Sequence, residues 1–83
     1  MEKDYEAEKL FEAALRLLSV RLSARHPFIG RLLVHRGKLR AAQGRRRDAI
    51  EDFENAIAIF REAGVLPQQR LFRIAQAEKS QLA

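Results

Sequence analysis

Hydrophobic residues recur every three or four positions along most of the chain, in four segments separated by short stretches that contain glycine or proline. This spacing predicts helices over about residues 4–24, 28–42, 46–63 and 67–82. No segment alternates apolar and polar residues for long enough to form a strand. The pattern therefore predicts an all-α fold of four helices.

The predicted breaks between helices coincide with proline and glycine. Pro27 is expected to follow the end of the first helix and occupy the first turn of the second, because the residue before a proline avoids the α region. Gly44 and Gly64 each follow a helix, where glycine adopts the left-handed conformation without penalty, and Pro67 is expected to open the fourth helix. Connections of about two to five residues predict antiparallel helix hairpins in series within a single domain, residues 1–83.

One short signature, Ala-x3-Phe-x2-Ala, occurs twice in the predicted first and third helices, and its copies are 42 residues apart. The two copies are Ala7, Phe11 and Ala14, then Ala49, Phe53 and Ala56. Identical packing signatures at this spacing indicate a repeated helix-turn-helix unit, and repeat architectures generally present an extended binding surface.

The middle of the chain resembles a tetratricopeptide repeat. The family pattern is Trp-x2-Leu-Gly-x2-Tyr with a later Ala-x3-Phe. This chain matches it with Leu33-x2-Arg36-Gly37-x2-Arg40, then with Gly44 and the second copy of the signature. The resemblance implies that Gly37 lies where the two helices of a repeat cross closely and that Gly44 lies in their turn. It implies that Ala49 and Ala56 let the backbones approach while Phe53 fills the gap between them.

The resemblance also implies how the chain divides into repeats. Residues 4–24 would be the second helix of a partial repeat, 28–63 a complete repeat, and 67–82 a capping or half-repeat helix, which together make a fragment of an α-solenoid. The 42-residue period and the His26-Pro27 junction resemble the long, kinesin-light-chain-like form of the family.

Two arginines depart from the family pattern, since Arg36 and Arg40 occupy positions where it has leucine and tyrosine. Their stems could cover apolar surface while the guanidinium groups reach water. If the guanidinium groups are desolvated instead, they need carboxylate partners, and Glu8 or Glu12 in the first helix are candidates. The sequence leaves both alternatives open.

Positive charge is concentrated in one part of the chain. The net charge is +5, yet residues 25–47 carry eight basic residues and no acidic one, so the remainder is net negative. The eight are Arg25, Arg31, Arg36, Lys38, Arg40, Arg45, Arg46 and Arg47.

Nothing in the sequence indicates a catalytic or metal site. His26 and His35 are not spaced as metal ligands with any acid, and no glycine-rich phosphate loop is present. We therefore expect no enzymatic activity, no cofactor and no metal. The absence of cysteine, of an apolar run long enough to span a membrane and of a signal peptide predicts a cytoplasmic protein.

The resemblance implies a protein-interaction module or scaffold, because tetratricopeptide arrays generally hold peptides in a concave groove lined by the first helix of each repeat. The residues expected to face that groove are Arg31, Val34, Lys38 and Ala41, which form one helical stripe. Two cations beside two small apolar residues would suit an acidic peptide, since arginine binds a carboxylate through two parallel hydrogen bonds. The plainer alternative is that a basic helix is simply a soluble one.

Two further alternatives concern other partners. Arg45, Arg46 and Arg47 could bind anions such as nucleic-acid phosphates, but the basic segment has only Phe28 for base stacking, which argues against nucleic acid. The first helix carries more apolar surface than one neighbouring helix can cover, including Leu15, Val20 and Leu22. This excess predicts a homodimer or a place within a longer repeat array.

Overall fold

The computed structural model describes residues 2–23 and 25–83, which form an all-α fold of four helices without a strand. The helices are α1 (Glu2–Arg21), α2 (Pro27–Ala42), α3 (Arg46–Glu62) and α4 (Arg70–Leu82). The predicted end of the first helix at Ala24 lies outside the described residues. Successive helices pack as antiparallel hairpins, as the sequence predicted.

Glycine ends both helices of the central hairpin in the manner expected. Gly44 and Gly64 have φ of +78°, in the left-handed region where a Cβ is disfavoured. After each glycine the chain closes the helix with paired hydrogen bonds, such as Arg45 N–H to the Arg40 carbonyl (2.9 Å) and Gly44 N–H to the Ala41 carbonyl (3.0 Å). These caps fix the direction in which the chain leaves α2 and α3.

The start of α2 is fixed by His26 and Pro27. The His26 side chain accepts a hydrogen bond from the Phe28 N–H through Nδ1 (3.2 Å), and Pro27 occupies the first helical turn. The His26 ring also stacks on the Phe28 ring with centroids 5.3 Å apart. His26 is thus a helix cap.

The core lies mainly between α2 and α3, where two glycines of α2 allow close approach. A Cβ on Gly37 would lie 2.8 Å from Cε1 of Phe53, and a Cβ on Gly30 would lie 2.8 Å from Cε1 of Phe60. These contacts pair position 37 with 53 and position 30 with 60, as an antiparallel hairpin requires. The buried apolar residues are Ile29, Leu33, Val34, Ala49, Phe53, Ala56, Ile57, Ile59, Phe60, Phe72 and Ala75.

The prediction that Pro67 opens the fourth helix is wrong. α4 begins at Arg70, and residues 63–69 form a longer connection than expected. Gln69 N–H bonds to the Leu66 carbonyl (3.0 Å), which closes a β-turn with Pro67 as its second residue. Because proline has the φ that this turn position needs, it serves the turn rather than the helix.

α1 packs against α2 and leaves one of its faces uncovered. In the second copy of the repeated signature Ala49, Phe53 and Ala56 are fully buried, whereas the equivalent residues of α1 are half-buried. The predicted apolar stripe of α1 is also only partly internal, because Leu10 and Leu17 are exposed. The reason is that among the described residues no helix precedes α1 to cover them.

A search of the described helices for a membrane-crossing segment found none of sufficient length and apolar character.

Candidate functional site

A buried ion cluster, which we define as Asp52, Arg36, Arg40 and Glu8, joins the first three helices. The Asp52 side chain on α3 is almost completely buried. It accepts two hydrogen bonds from Arg36, Nε to Oδ2 at 3.0 Å and Nη2 to Oδ1 at 2.8 Å, and a further pair from Arg40 Nη1 at 3.1 and 3.3 Å. Two parallel bonds of this kind match the planar guanidinium to the carboxylate.

Glu8 extends the cluster to α1. Its carboxylate accepts from Arg40 Nε at 3.1 Å and from Arg45 Nη1 at 2.6 and 2.7 Å. Partial burial acts to raise the pKa of Glu8, but the hydrogen bonds from Arg45 and then Arg40 outweigh it, so that its pKa is lowered. Glu8 is therefore held as a carboxylate that anchors α1 to α2.

These contacts decide the alternatives that the sequence left open for Arg36 and Arg40: both are ion-paired. Glu8 is a partner of Arg40, as suggested, but Glu12 accepts no hydrogen bond from either arginine, and Asp52 was missed. A signal for Asp52 existed, because it lies at helical spacing within the apolar stripe of α3, where a charge must have a partner. An arginine pair on α2 and an acid on α3 thus replace the apolar contact of the family pattern.

The suggested anion site at Arg45, Arg46 and Arg47 is largely engaged within the chain. Arg45 binds both Glu8 and Asp48, the latter through Nη2 at 2.9 Å. Arg46 donates from Nε to the Leu82 carbonyl at the end of α4. Arg47 is exposed and lies apart on α3, beside Glu51 and Glu54. The three arginines therefore do not form one cationic patch, which weakens the nucleic-acid alternative.

Three cations remain exposed on a single groove between α2 and α4. Arg31 and Lys38 line it from α2, and Arg70 lines it from α4, with Leu71 and Ile74 as apolar neighbours. In the described part of the chain these three cations make no ion pair, whereas Arg25 from the same basic segment is bound to Glu62 at 2.7 Å. Arg70 was not predicted, because only the packing of α4 on α2 brings it close to Arg31.

His35 lies between Arg31 and Lys38 on the same groove. Burial lowers its pKa, and the positive charges of Arg31 and Lys38 lower it further. The imidazole is therefore neutral near pH 7, and the charge of the groove comes from the three exposed cations.

The other two residues expected to face the groove need correction. Val34 is fully buried, so it forms the floor of the groove and offers no contact surface. Ala41 is half-buried and packs against the hydrophobic core. Both lie on the predicted helical stripe, but the packing of the core covers Val34 completely and Ala41 in part.

An apolar cleft of about 370 Å³ adjoins the groove at its Arg31 end. Arg31, Arg70 and Leu71 line both depressions, which makes the cleft and the groove continuous. The cleft is lined further by His26, Pro27, Phe28, Phe60, Val65 and Gln69. The combined surface thus offers an apolar depression beside three cations.

No group of three or more metal-ligating side chains occurs within the part of the chain that the structure describes.

Comparison with known proteins identifies the family. The family model described as "Tetratricopeptide repeat" matches residues 1–62, about three quarters of the chain. No curated protein and no solved structure matches the chain. Tetratricopeptide repeats are non-catalytic and generally mediate protein–protein interactions. With its helix hairpins, its glycine-mediated crossing and this match, the chain belongs to the tetratricopeptide repeat family.

Proposed function

We propose that the chain is an interaction module whose groove between α2 and α4 binds an acidic peptide segment of a partner protein. One observation carries the proposal: Arg31, Lys38 and Arg70 converge on this groove with exposed side chains, while most other cations of residues 25–47 are used in internal contacts. Carboxylates are the natural counterions, because guanidinium groups bind them through paired hydrogen bonds. The groove also lies between the first helices of successive repeats, where this family generally holds peptides.

The adjoining cleft adds a requirement for the peptide. The exposed ring of Phe28, together with Val65 and Leu71, would receive an apolar side chain next to the acidic ones. Such a side chain would be removed from water, whereas the charges mainly set orientation and association rate. We therefore propose a ligand that combines acidic residues with at least one large apolar residue.

The division into repeats is part of the same proposal. We assign α1 to the second helix of a partial repeat, residues 28–63 to the complete repeat, and α4 to a capping or half-repeat helix. The 42-residue spacing of the signature supports the long, kinesin-light-chain-like form. The cytoplasmic location stays a prediction.

Replacing Lys38 with glutamate should weaken binding of an acidic peptide at least about tenfold, because an attraction becomes a repulsion in the groove. The probe is a labelled peptide of alternating glutamate and leucine, titrated by fluorescence anisotropy, and lysine replaces glutamate in a second peptide that should not bind. Arg47→Glu is the matched control, since it makes the same charge change at an exposed position of α3. Equal losses in both variants would show that net charge alone drives binding, and an unchanged affinity in Lys38→Glu would reject the groove.

Self-association is the second candidate function, and it is favoured by the uncovered apolar face of α1. That face is separate from the groove and is considered next.

A further inference from the structure

The outward face of α1 carries a stripe of exposed apolar side chains, defined here as Leu10, Ala13, Leu17 and Val20. Their spacing of three, four and three residues places them along one side of the helix. The exposed fractions of Leu10, Leu17 and Val20 are 71%, 58% and 86%. Large apolar residues at this spacing on a soluble helix indicate a surface that another element covers.

The internal repeat shows what kind of element fits this stripe. Shifted by the 42-residue period, Leu10 corresponds to Asp52 and Leu17 to Ile59. Both residues of α3 are buried, Asp52 in its bonds to Arg36 and Ile59 near Gly30, so that this side of α3 packs against α2. The equivalent positions Leu10 and Leu17 of α1 are therefore suited to contact a helix, whereas Ala13 and Val20 correspond to Asn55 and Glu62, which are exposed on α3.

At the other end of the described chain, the outward face of α4 offers no apolar counterpart. The outward residues of α4 are Arg73, Ala77, Ser80 and Gln81, and all four are exposed. A head-to-tail contact between α1 of one copy and α4 of the next would cover the leucines with polar groups, which is unfavourable. The apolar cleft beside Phe28 is a depression rather than a face running along a helix, so among the described helices the surface that fits the α1 stripe is the same stripe in a second copy.

We infer that two copies of the chain associate through an antiparallel pair of α1 helices. A two-fold axis near Ala13 places Leu10 against the partner's Leu17, since these residues lie about 10 Å apart along the helix, on either side of the small alanine. This interface uses neither the groove nor its cations, and it is independent of the proposed peptide binding.

Charge fixes the antiparallel direction. Glu6 lies on the stripe near the start of α1, and Arg21 lies beside it in the last turn; both are exposed. The antiparallel pair brings Glu6 next to the partner's Arg21, whereas a parallel pair would bring like charges together. Opposed helix dipoles favour the same arrangement.

Sedimentation equilibrium over a range of protein concentrations tests the dimer. The wild type should pass from a monomer of 9.6 kDa to a dimer. Leu10→Glu combined with Leu17→Glu should raise the dissociation constant at least about tenfold, and circular dichroism should show unchanged helix content because both side chains are exposed. The control Leu66→Glu changes an exposed leucine outside α1 and should leave the equilibrium unaltered.

A charge exchange tests the direction of the helices. Glu6→Arg alone should weaken an antiparallel dimer, and adding Arg21→Glu should restore it. The stability of a parallel dimer would change with neither substitution. In that arrangement each position faces the same position of the partner, so like charges meet before and after each change.

Cysteine cross-linking locates the axis, which is straightforward in a chain without cysteine. Ala13→Cys should give a disulfide-linked dimer on mild oxidation, whereas Ser19→Cys, exposed on another side of α1, should not. A monomer at every concentration, growth beyond a dimer, or cross-linking of Ser19→Cys in preference to Ala13→Cys would overturn the inference.

Discussion

Replacing Asp52 with alanine is expected to lower the free energy of unfolding by about 3–5 kcal/mol, because it leaves two largely buried guanidinium groups without their shared partner. The side chains of Arg36 and Arg40 are mostly covered, so water cannot fully replace the lost carboxylate. Arg40 keeps its bond to Glu8, which places the expected loss toward the lower end of the range. Urea denaturation followed by circular dichroism measures the change.

Asp48→Ala is the matched control for this prediction. Asp48 also binds an arginine, Arg45, but about half of its side chain is exposed, and exposed ion pairs contribute about 1 kcal/mol or less. A loss for Asp52→Ala no larger than that for Asp48→Ala would show that the buried ion cluster does not hold the three helices together.

Replacing Phe53 with alanine should also cost about 3–5 kcal/mol, because removal of a fully buried ring leaves a cavity between α2 and α3. The ring lies against Gly37 at the close crossing of α2 and α3. The two helices therefore have little freedom to move closer and fill the cavity. A domain of this length has a total stability of about 4–12 kcal/mol, so the loss should be a substantial fraction of it and the variant should unfold at a clearly lower urea concentration. Thermal and urea unfolding report the loss.

Phe11→Ala makes the same change in the other copy of the repeated signature. Phe11 is only half-buried, because no described helix precedes α1, and its removal should therefore cost less than that of Phe53. Equal costs would mean that the uncovered side of α1 is packed in solution as tightly as α3. The free energies of unfolding of both variants would be measured at protein concentrations above and below the range in which the chain dimerises. The comparison would separate packing within one chain from packing between two chains.

Much of the fold could be predicted from the sequence because its signals are local. Helical spacing, the left-handed glycines at Gly44 and Gly64 and the Pro27 junction each act over a few residues. Pro67 misled the prediction because proline suits both a first helical turn and the second position of a β-turn. Which of these two positions Pro67 occupies depends on the path of the chain from α3 to α4.

The candidate site was harder to predict because it depends on contacts between distant residues. Arg31 and Lys38 could be named from their helical stripe, but Arg70 joins them only through packing of α4. Val34 follows the same stripe yet is buried, since spacing along a helix does not reveal which neighbour covers it. Asp52 was missed because its partner Arg36 lies on another helix, and spacing along α3 does not reveal which side chains of α2 meet it.

The basic segment of residues 25–47 consequently has two roles that composition alone could not separate. Arg36, Arg40 and Arg45 neutralise the carboxylates of Glu8 and Asp52, as well as Asp48, and stabilise the fold. Arg31 and Lys38 are exposed on the groove, where they could bind an acidic ligand. The high net charge is therefore a poor guide to the partner, and the position of the unpaired cations is a better one.

Chemical-shift mapping by nuclear magnetic resonance tests the central claim, that the groove between α2 and α4 is the peptide-binding surface, most directly. The isotope-labelled chain would be titrated with the acidic glutamate–leucine peptide and with its lysine counterpart. We predict that the acidic peptide shifts the amide signals of residues 31–38 and of the first turns of α4, and that the lysine peptide shifts none of them. Shifts confined to α1 or to residues 45–47, or equal responses to both peptides, would contradict the account.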